Sequence, residues 1–89
     1  MTRTYELFIG GNNTTHEVEL TKIENILNKY FEGYTIRDAV GYWQGAREGS
    51  ISVTLMTSPI QLIKLLDELK FELAQDRIAY HTVAQLLFY

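Results

Sequence analysis

Residues 33–57 read GYTIRDAVGYWQGAREGSISVTLMT, and this stretch decides the fold. Two runs of alternating side chains flank a short Gly-containing link, the sequence form of a β-hairpin. In the first run Tyr34, Ile36, Val40 and Tyr42 point one way, and Thr35, Arg37, Ala39, Gly41 and Trp43 point the other. In the second, Ile51, Val53 and Leu55 oppose Ser50, Ser52, Thr54 and Met56. The apolar set needs a cover. The opposite set mixes small and hydroxylated residues with Arg37, Trp43 and Met56, so what that face touches is the functional question.

Upstream, Thr4 to Gly10 alternates Tyr5, Leu7 and Ile9 against Glu6 and Phe8, which predicts a first strand. Gly10-Gly11 ends it, and Asn12 to Thr15 are turn formers. His16 to Leu20 alternates weakly and fits either a loop or an early helical turn. Ile23, Ile26, Leu27, Tyr30 and Phe31 then form one helical stripe. Thr21 with Glu24 has capping-box spacing and predicts a start at Thr21; Thr14 with Glu17 has the same spacing and allows an earlier one. Gly33 is placed to stop this helix in the left-handed conformation.

Downstream, Ser58, Pro59 and Gln61 predict a second helix from about Pro59 to Ala74: a serine cap, a proline at the first helical position and a glutamine at capping-box spacing. Its apolar arc, Leu62, Ile63, Leu65, Leu66, Leu69, Leu73 and Ala74 with Phe71 to one side, is wider than one sheet face requires. Part of it is expected to meet another subunit. Ile78 to Val83 reads as a last strand, and the apolar end Leu86-Leu87-Phe88-Tyr89 is expected to be docked.

The order strand, helix, hairpin, helix, strand predicts an α+β ferredoxin-like fold, βαββαβ, with two helices on one face of an antiparallel sheet. Strands one and three are expected at the centre and strand two at an edge. Residues 1–89 are expected to form a single ferredoxin-like domain, without internal repeats or linkers.

Composition narrows the function. The chain has 89 residues, 46% hydrophobic and 21% charged, with one proline, which is the profile of a folded domain with a thin core. With no cysteine, disulfide and thiolate chemistry are excluded, and a reducing compartment, the cytoplasm, is expected. A net charge of −3 argues against a duplex nucleic-acid partner. No apolar run approaches the roughly 20 residues of a membrane span, and the N-terminus lacks a signal-peptide pattern. No membrane partner is expected.

Several short motifs run through the chain: Phe8-x-Gly10, Phe31 followed by Gly33-Tyr34, Gly41-x-Trp43, Arg47-Glu48-x-Ser50, and Gln75 ahead of the last strand. In this pattern the chain resembles a family of short bacterial proteins of uncharacterised function. It departs from that family in a shorter hairpin link and in Glu32, where the family usually has proline. Separately, YWQGAREGSISVTLMT, Tyr42 to Thr57, is similar to the hairpin of the CutA proteins, relatives of the PII signalling proteins. This second resemblance implies a ferredoxin-like trimer whose sheets pack around a shared axis. The PII branch binds nucleotides between subunits, and the metal-binding Cys and His residues of the family have no counterpart here.

Arg37, Trp43 and Arg47 lead the candidate site residues. Guanidinium forks bind phosphate or carboxylate, Trp offers a stacking surface, and the small residues Ala39, Gly41, Ser50, Ser52 and Thr54 leave room for a ligand. Arg47-Glu48 is expected at the hairpin tip. Subunit packing explains the same residues, with Trp43 as an interface anchor. His16 with Glu17 and Glu19 lacks a defined metal geometry, and a solvated loop accounts for it. His81 on the last strand titrates in a useful range, or is a hydrogen-bonded sheet residue. Asp38 breaks its strand's alternation as an edge charge, a bulge or a base. Gly10-Gly11-Asn12 reads as a turn, since no phosphate-loop motif follows. Phe8, Trp43 and Tyr80 raise an RNA-stacking sheet, against which the acidic balance counts.

The resulting expectation is a non-enzymatic homo-oligomer, dimer or trimer, that holds an anionic, nucleotide-like small molecule near a subunit interface without a cofactor or metal. Arg37, Tyr42, Trp43, Arg47, Glu48, Ser50 and His81 form its expected ligand site. A protein-interaction domain that uses the edge strand and second helix is the alternative. An enzyme would need a buried acid–base pair, for which Asp38 with His81 is the set the sequence offers.

Overall fold

Strand pairing follows directly from the alternation. In the computed structural model, which describes residues 1–84, β1 (Arg3–Gly10) and β3 (Ala46–Thr57) form an antiparallel ladder with Leu7 opposite Val53 and Ile9 opposite Ile51. β2 (Thr35–Trp43) pairs with the outer side of β3, and β4 (Ala79–Thr82) with the outer side of β1. The order β2-β3-β1-β4 places the two most apolar strands in the middle. This is the ferredoxin-like βαββαβ arrangement, with α1 (Leu20–Tyr30) and α2 (Pro59–Leu73) completing it.

The core forms where one sheet face meets the helical stripes. Tyr5, Leu7, Ile9, Ile51, Val53 and Leu55 are buried against Ile23, Ile26 and Leu27 of α1 and Leu62, Leu65, Leu66, Leu69 and Leu73 of α2. The rest of the α2 arc stays outside: Ile60, Ile63 and Phe71 are exposed. The expected docking of Leu86–Tyr89 lies outside the described residues.

Helix ends differ from expectation at three points. α1 starts at Leu20, with Glu19 in the cap position and no side-chain cap bond, so the Thr21–Glu24 capping box does not form. Glu19 instead pairs with Lys22 at 3.3 Å, one turn on. The exit from α1 is an extended Phe31, φ −133°, rather than a left-handed Gly33. Phe31 and Tyr34 both pack on the core, and the Tyr34 hydroxyl donates to Asn28 Oδ1 at 2.7 Å, so the chain leaves the helix stretched along the hydrophobic surface. The left-handed cap appears at Ala74, φ 52°, where the Gln75 N–H reaches back to the Lys70 carbonyl at 3.0 Å. At the other end of α2 the expected serine cap is present: Ser58 Oγ accepts from the Gln61 N–H at 3.1 Å.

An ion pair and a hydrogen bond join the two helices. Glu68 on α2 accepts the Tyr30 hydroxyl at 2.6 Å and forms an ion pair with Lys29. Gln75 fastens the exit of α2 to the end of β1, its side-chain amide donating to the Gly10 carbonyl at 3.1 Å.

Leu69 is fully buried and Phe71, two residues later, is 82% exposed. Urea unfolding should therefore separate them. Leu69→Ala is expected to lose about 2–5 kcal/mol, and Phe71→Ala to stay within about 0.5 kcal/mol of the parent.

Candidate functional site

The hairpin outruns the sheet that supports it. β1 stops at Gly10, opposite Ser50, yet β2 and β3 continue through Val40–Gly49, Gly41–Glu48, Tyr42–Arg47 and Trp43–Ala46. At about 3.3 Å per residue these four pairs carry a two-stranded ribbon about 13 Å beyond its neighbour. The tip is Gln44-Gly45, both at positive φ (51° and 81°), the two-residue turn whose twist suits a tight hairpin. Arg47 and Glu48 thus lie just behind the tip rather than at it. Along this ribbon Val40, Tyr42 and Trp43 are 54%, 70% and 68% exposed.

Register distributes the expected site residues over two faces. Tyr42 and Arg47, directly opposite each other, project on the helix side of the ribbon. Arg37, Trp43, Glu48, Ser50 and His81 belong to the open side. One subunit therefore does not bring all seven together. Glu48 lies over the end of β1: a Cβ at Gly10 would come within 2.9 Å of its Oε1, and one at Gly41 within 3.8 Å. Two glycines give the carboxylate its berth. The Ser50 hydroxyl is already committed, donating to the Ile9 carbonyl at 3.2 Å.

On the helix side a groove of about 360 Å³ runs along the ribbon's root, lined by His16, Ala39, Val40, Arg47, Glu48 and Gly49. The loop after β1 walls it. That loop closes on itself: Asn12 Oδ1 accepts the Thr14 and Thr15 N–H groups at 2.7 and 3.1 Å, and the His16 N–H reaches the Asn12 carbonyl at 2.8 Å. Those amides are spent, so the segment is a turn, as its sequence implies, and not a phosphate cradle. His16, at φ 63°, lies close to Gly11, where a Cβ would sit 2.4 Å from the His16 carbonyl oxygen. Among the described residues no three His, Cys, Asp or Glu side chains cluster as a metal site.

The open face carries a second cluster. Glu6 Oε2 accepts the buried Ser52 hydroxyl at 2.6 Å, and Glu6 Oε1 meets His81 Nε2 at 2.9 Å. The His81 ring stacks on Phe8, 5.8 Å between centroids and 12° between planes. Arg37, opposite Ser52 on β2, adds a positive charge nearby. The Ser52 hydrogen bond, then His81, then the Arg37 charge hold Glu6 below the ordinary carboxylate range. Sequence reasoning missed Glu6 and Ser52 because the β1–β4 register, which brings Glu6 opposite His81, leaves no trace in the alternation of either strand.

Two expected groupings do not form. Asp38 faces the helix side of edge strand β2, opposite Ile51, while His81 lies on the opposite edge and the opposite face, so they make no acid–base pair. Tyr80 pairs across from Leu7 on the helix side and meets Tyr5 edge-on at 6.2 Å. It therefore does not share a platform with Phe8 and Trp43.

An open four-stranded sheet with an overhanging hairpin and no buried catalytic constellation among the described residues defines a ferredoxin-like α+β scaffold. No family model and no curated protein matches the sequence. Solved structures do. They include a DUF3240 family protein from Shewanella baltica (TM-score 0.67, 14% identity, 100% of this chain and 93% of that one). The divalent cation tolerance protein CutA1 from Thermus thermophilus is similar at TM-score 0.63 and 11% identity, over 100% of this chain and 88% of that one. CPII, a nitrogen regulatory PII-like protein from Thiomonas intermedia bound to ADP, AMP and bicarbonate, is similar at TM-score 0.63 and 15% identity, over 98% of each chain. The likeness to CutA and PII-like folds, drawn in the sequence from the hairpin alone, thus extends to the whole fold. The family with the Gly-x-Trp and Arg-Glu-x-Ser pattern remains a resemblance in sequence.

Two carboxylates carry an acid-sensitive signature. Glu68 is held below its ordinary value by the Lys29 hydrogen bond first and Tyr30 second, and Glu6 by Ser52 and His81. A depressed carboxylate stabilises the fold above its unfolded titration and loses that contribution as pH falls through the folded one. Chemical unfolding between about pH 6 and pH 3 should show stability declining toward acid. Glu68→Gln should be less stable at pH 6 and have a shallower decline.

Proposed function

We propose that this chain is a non-enzymatic binding module that assembles with copies of itself and holds an anionic, nucleotide-like small molecule beside the hairpin. The observation that carries this reading is the unsupported ribbon, with Val40, Tyr42 and Trp43 exposed around Arg47 and the groove at its root. Two-stranded ribbons are marginal in water on their own, so apolar side chains on one call for a cover. A second copy provides that cover and also resolves the division of the site. The Tyr42–Arg47 face of one subunit meets an open face bearing Arg37 and Trp43 from another.

In this arrangement Arg47, with His16 at the groove wall, takes the negative charge, and Tyr42 stacks against a flat ring. Arg37 and Trp43 of a neighbouring copy complete the site, and Glu48 supplies an acceptor. The bound ADP and AMP of the PII-like protein CPII support this ligand class on a shared fold. The protein would sense or sequester the molecule, in the cytoplasm as its cysteine-free sequence favours.

A protein-interaction role has one observation of its own, the exposed Ile60, Ile63 and Phe71 on α2. Calorimetry with AMP, ADP, ATP and inorganic phosphate distinguishes the two. The parent is expected to bind at least one nucleotide. Arg47→Ala should weaken it by about 10- to 100-fold, the loss of a hydrogen bond to a charged group, and leave the assembly intact. If parent and variant bind nothing, or Arg47→Ala and Trp43→Ala bind as the parent does, the ligand reading is wrong.

A further inference from the structure

α2 turns two large apolar side chains toward solvent on the side farthest from the core. Ile60 and Phe71 are 73% and 82% exposed, and Lys64 and Asp67, also exposed, lie between them. Spacings of four, three and four residues set these four side chains in one stripe, within about 60° of one another at 3.6 residues per turn. The buried Leu62, Leu65, Leu69 and Leu73 occupy the opposite side of the helix, so the stripe adds nothing to the core. Neither Lys64 nor Asp67 forms an ion pair among the described residues.

The order along the stripe is apolar, positive, negative, apolar, which is complementary to its own reverse. Laid antiparallel against a second α2, with a two-fold axis level with the Leu65–Leu66 peptide, Ile60 falls opposite the partner's Phe71 and Lys64 opposite the partner's Asp67. Each contact then occurs twice, as an isologous interface requires. A stripe spaced four, three and four is also the seam along which two helices pack at about 20°. Ile63, half exposed beside the stripe, lies on the same side of the seam as its counterpart and widens the apolar contact. On the other side Glu68 is already taken by Lys29 and Tyr30, and α1 alongside exposes the uncharged Thr21, Asn25 and Asn28.

We propose that the outward stripe of α2 is a homotypic docking surface that pairs antiparallel with the α2 of a second copy. The charges decide the occupant. A lipid surface or an apolar ligand leaves Lys64 and Asp67 unanswered in the middle of the stripe, whereas a second copy answers both. The seam is short, about 17 Å from Ile60 to Phe71 at 1.5 Å per residue. It falls below the roughly 1,200 Å² of a stable interface, so the contact is weak and depends on concentration. It uses none of the hairpin residues, and it therefore joins two chains, or two ribbon-built assemblies, and leaves the ribbon free.

Sedimentation equilibrium of the intact chain tests this over about 10 μM to 1 mM, the range of weak association. The parent's weight-average mass is expected to climb to twice its low-concentration value or beyond. Lys64→Glu and Asp67→Lys each set like charges at both contacts, and each should weaken the association about tenfold. Phe71→Ala should abolish it in this range. Mixed in equal amounts, the Lys64→Glu and Asp67→Lys chains regain opposite charges at both contacts and are expected to associate as the parent does. A Lys64–Asp67 pair within one chain is not restored by mixing, so this rescue is specific to contact between copies. A parent mass that stays constant overturns the pairing and leaves the stripe to a different protein. Single variants that associate like the parent, or a mixture that does no better than either variant alone, overturn it as well.

Discussion

The structure depends on an inequality of length. β3 has twelve residues and β1 has eight, so β3 can be sandwiched between two strands over only part of its course. Where β1 is present, alternation does its ordinary work, with Leu7, Ile9, Ile51 and Val53 beneath the helices and polar residues above. Beyond Gly10 the same alternation continues without a neighbouring strand, with only the loop after β1 beside its root. Val40 and Tyr42 remain on the helix side, past the reach of both helices, and are exposed for that reason. The ribbon thus carries an interior pattern on an exterior element.

Charge is arranged to respect the same division. Glu68 ties the two helices together through Tyr30 and Lys29, on the side away from the open face. Glu6 ties three strands of the open face, taking Ser52 from β3 and His81 from β4. Each carboxylate accepts from two donors, which keeps it ionised and makes it a hub rather than a surface charge. Arg47, near the hairpin tip, forms no ion pair among the described residues, and that leaves its guanidinium open to a ligand or a neighbour.

The fold was legible because apolar side chains recur at period two in the strands and near three and four in the helices. Ser58, with its proline and glutamine, marked the start of α2. Local signals failed where packing overrode them. Gly33 looked like a helix stop, but Phe31 and Tyr34 gain more by lying along the core, so the chain leaves α1 extended. Thr21 looked like a cap, but the helix begins one residue earlier with Glu19 paired to Lys22. At the candidate site, parity within β2 correctly set Arg37 and Trp43 on one face and Tyr42 on the other. Partners between distant strands were out of reach: His81 was paired in sequence with Asp38, whereas the β1–β4 register gives it Glu6.

Whether the overhanging ribbon is covered by another copy of the chain is decided most directly by native mass spectrometry of the purified protein. Cover by another copy predicts a closed assembly at a whole-number multiple of 10.3 kDa, two or three subunits, that persists on dilution. A single species at 10.3 kDa over the same concentration range would mean that Tyr42 and Trp43 stand in water, and would contradict the proposal that the hairpin builds a site shared between subunits.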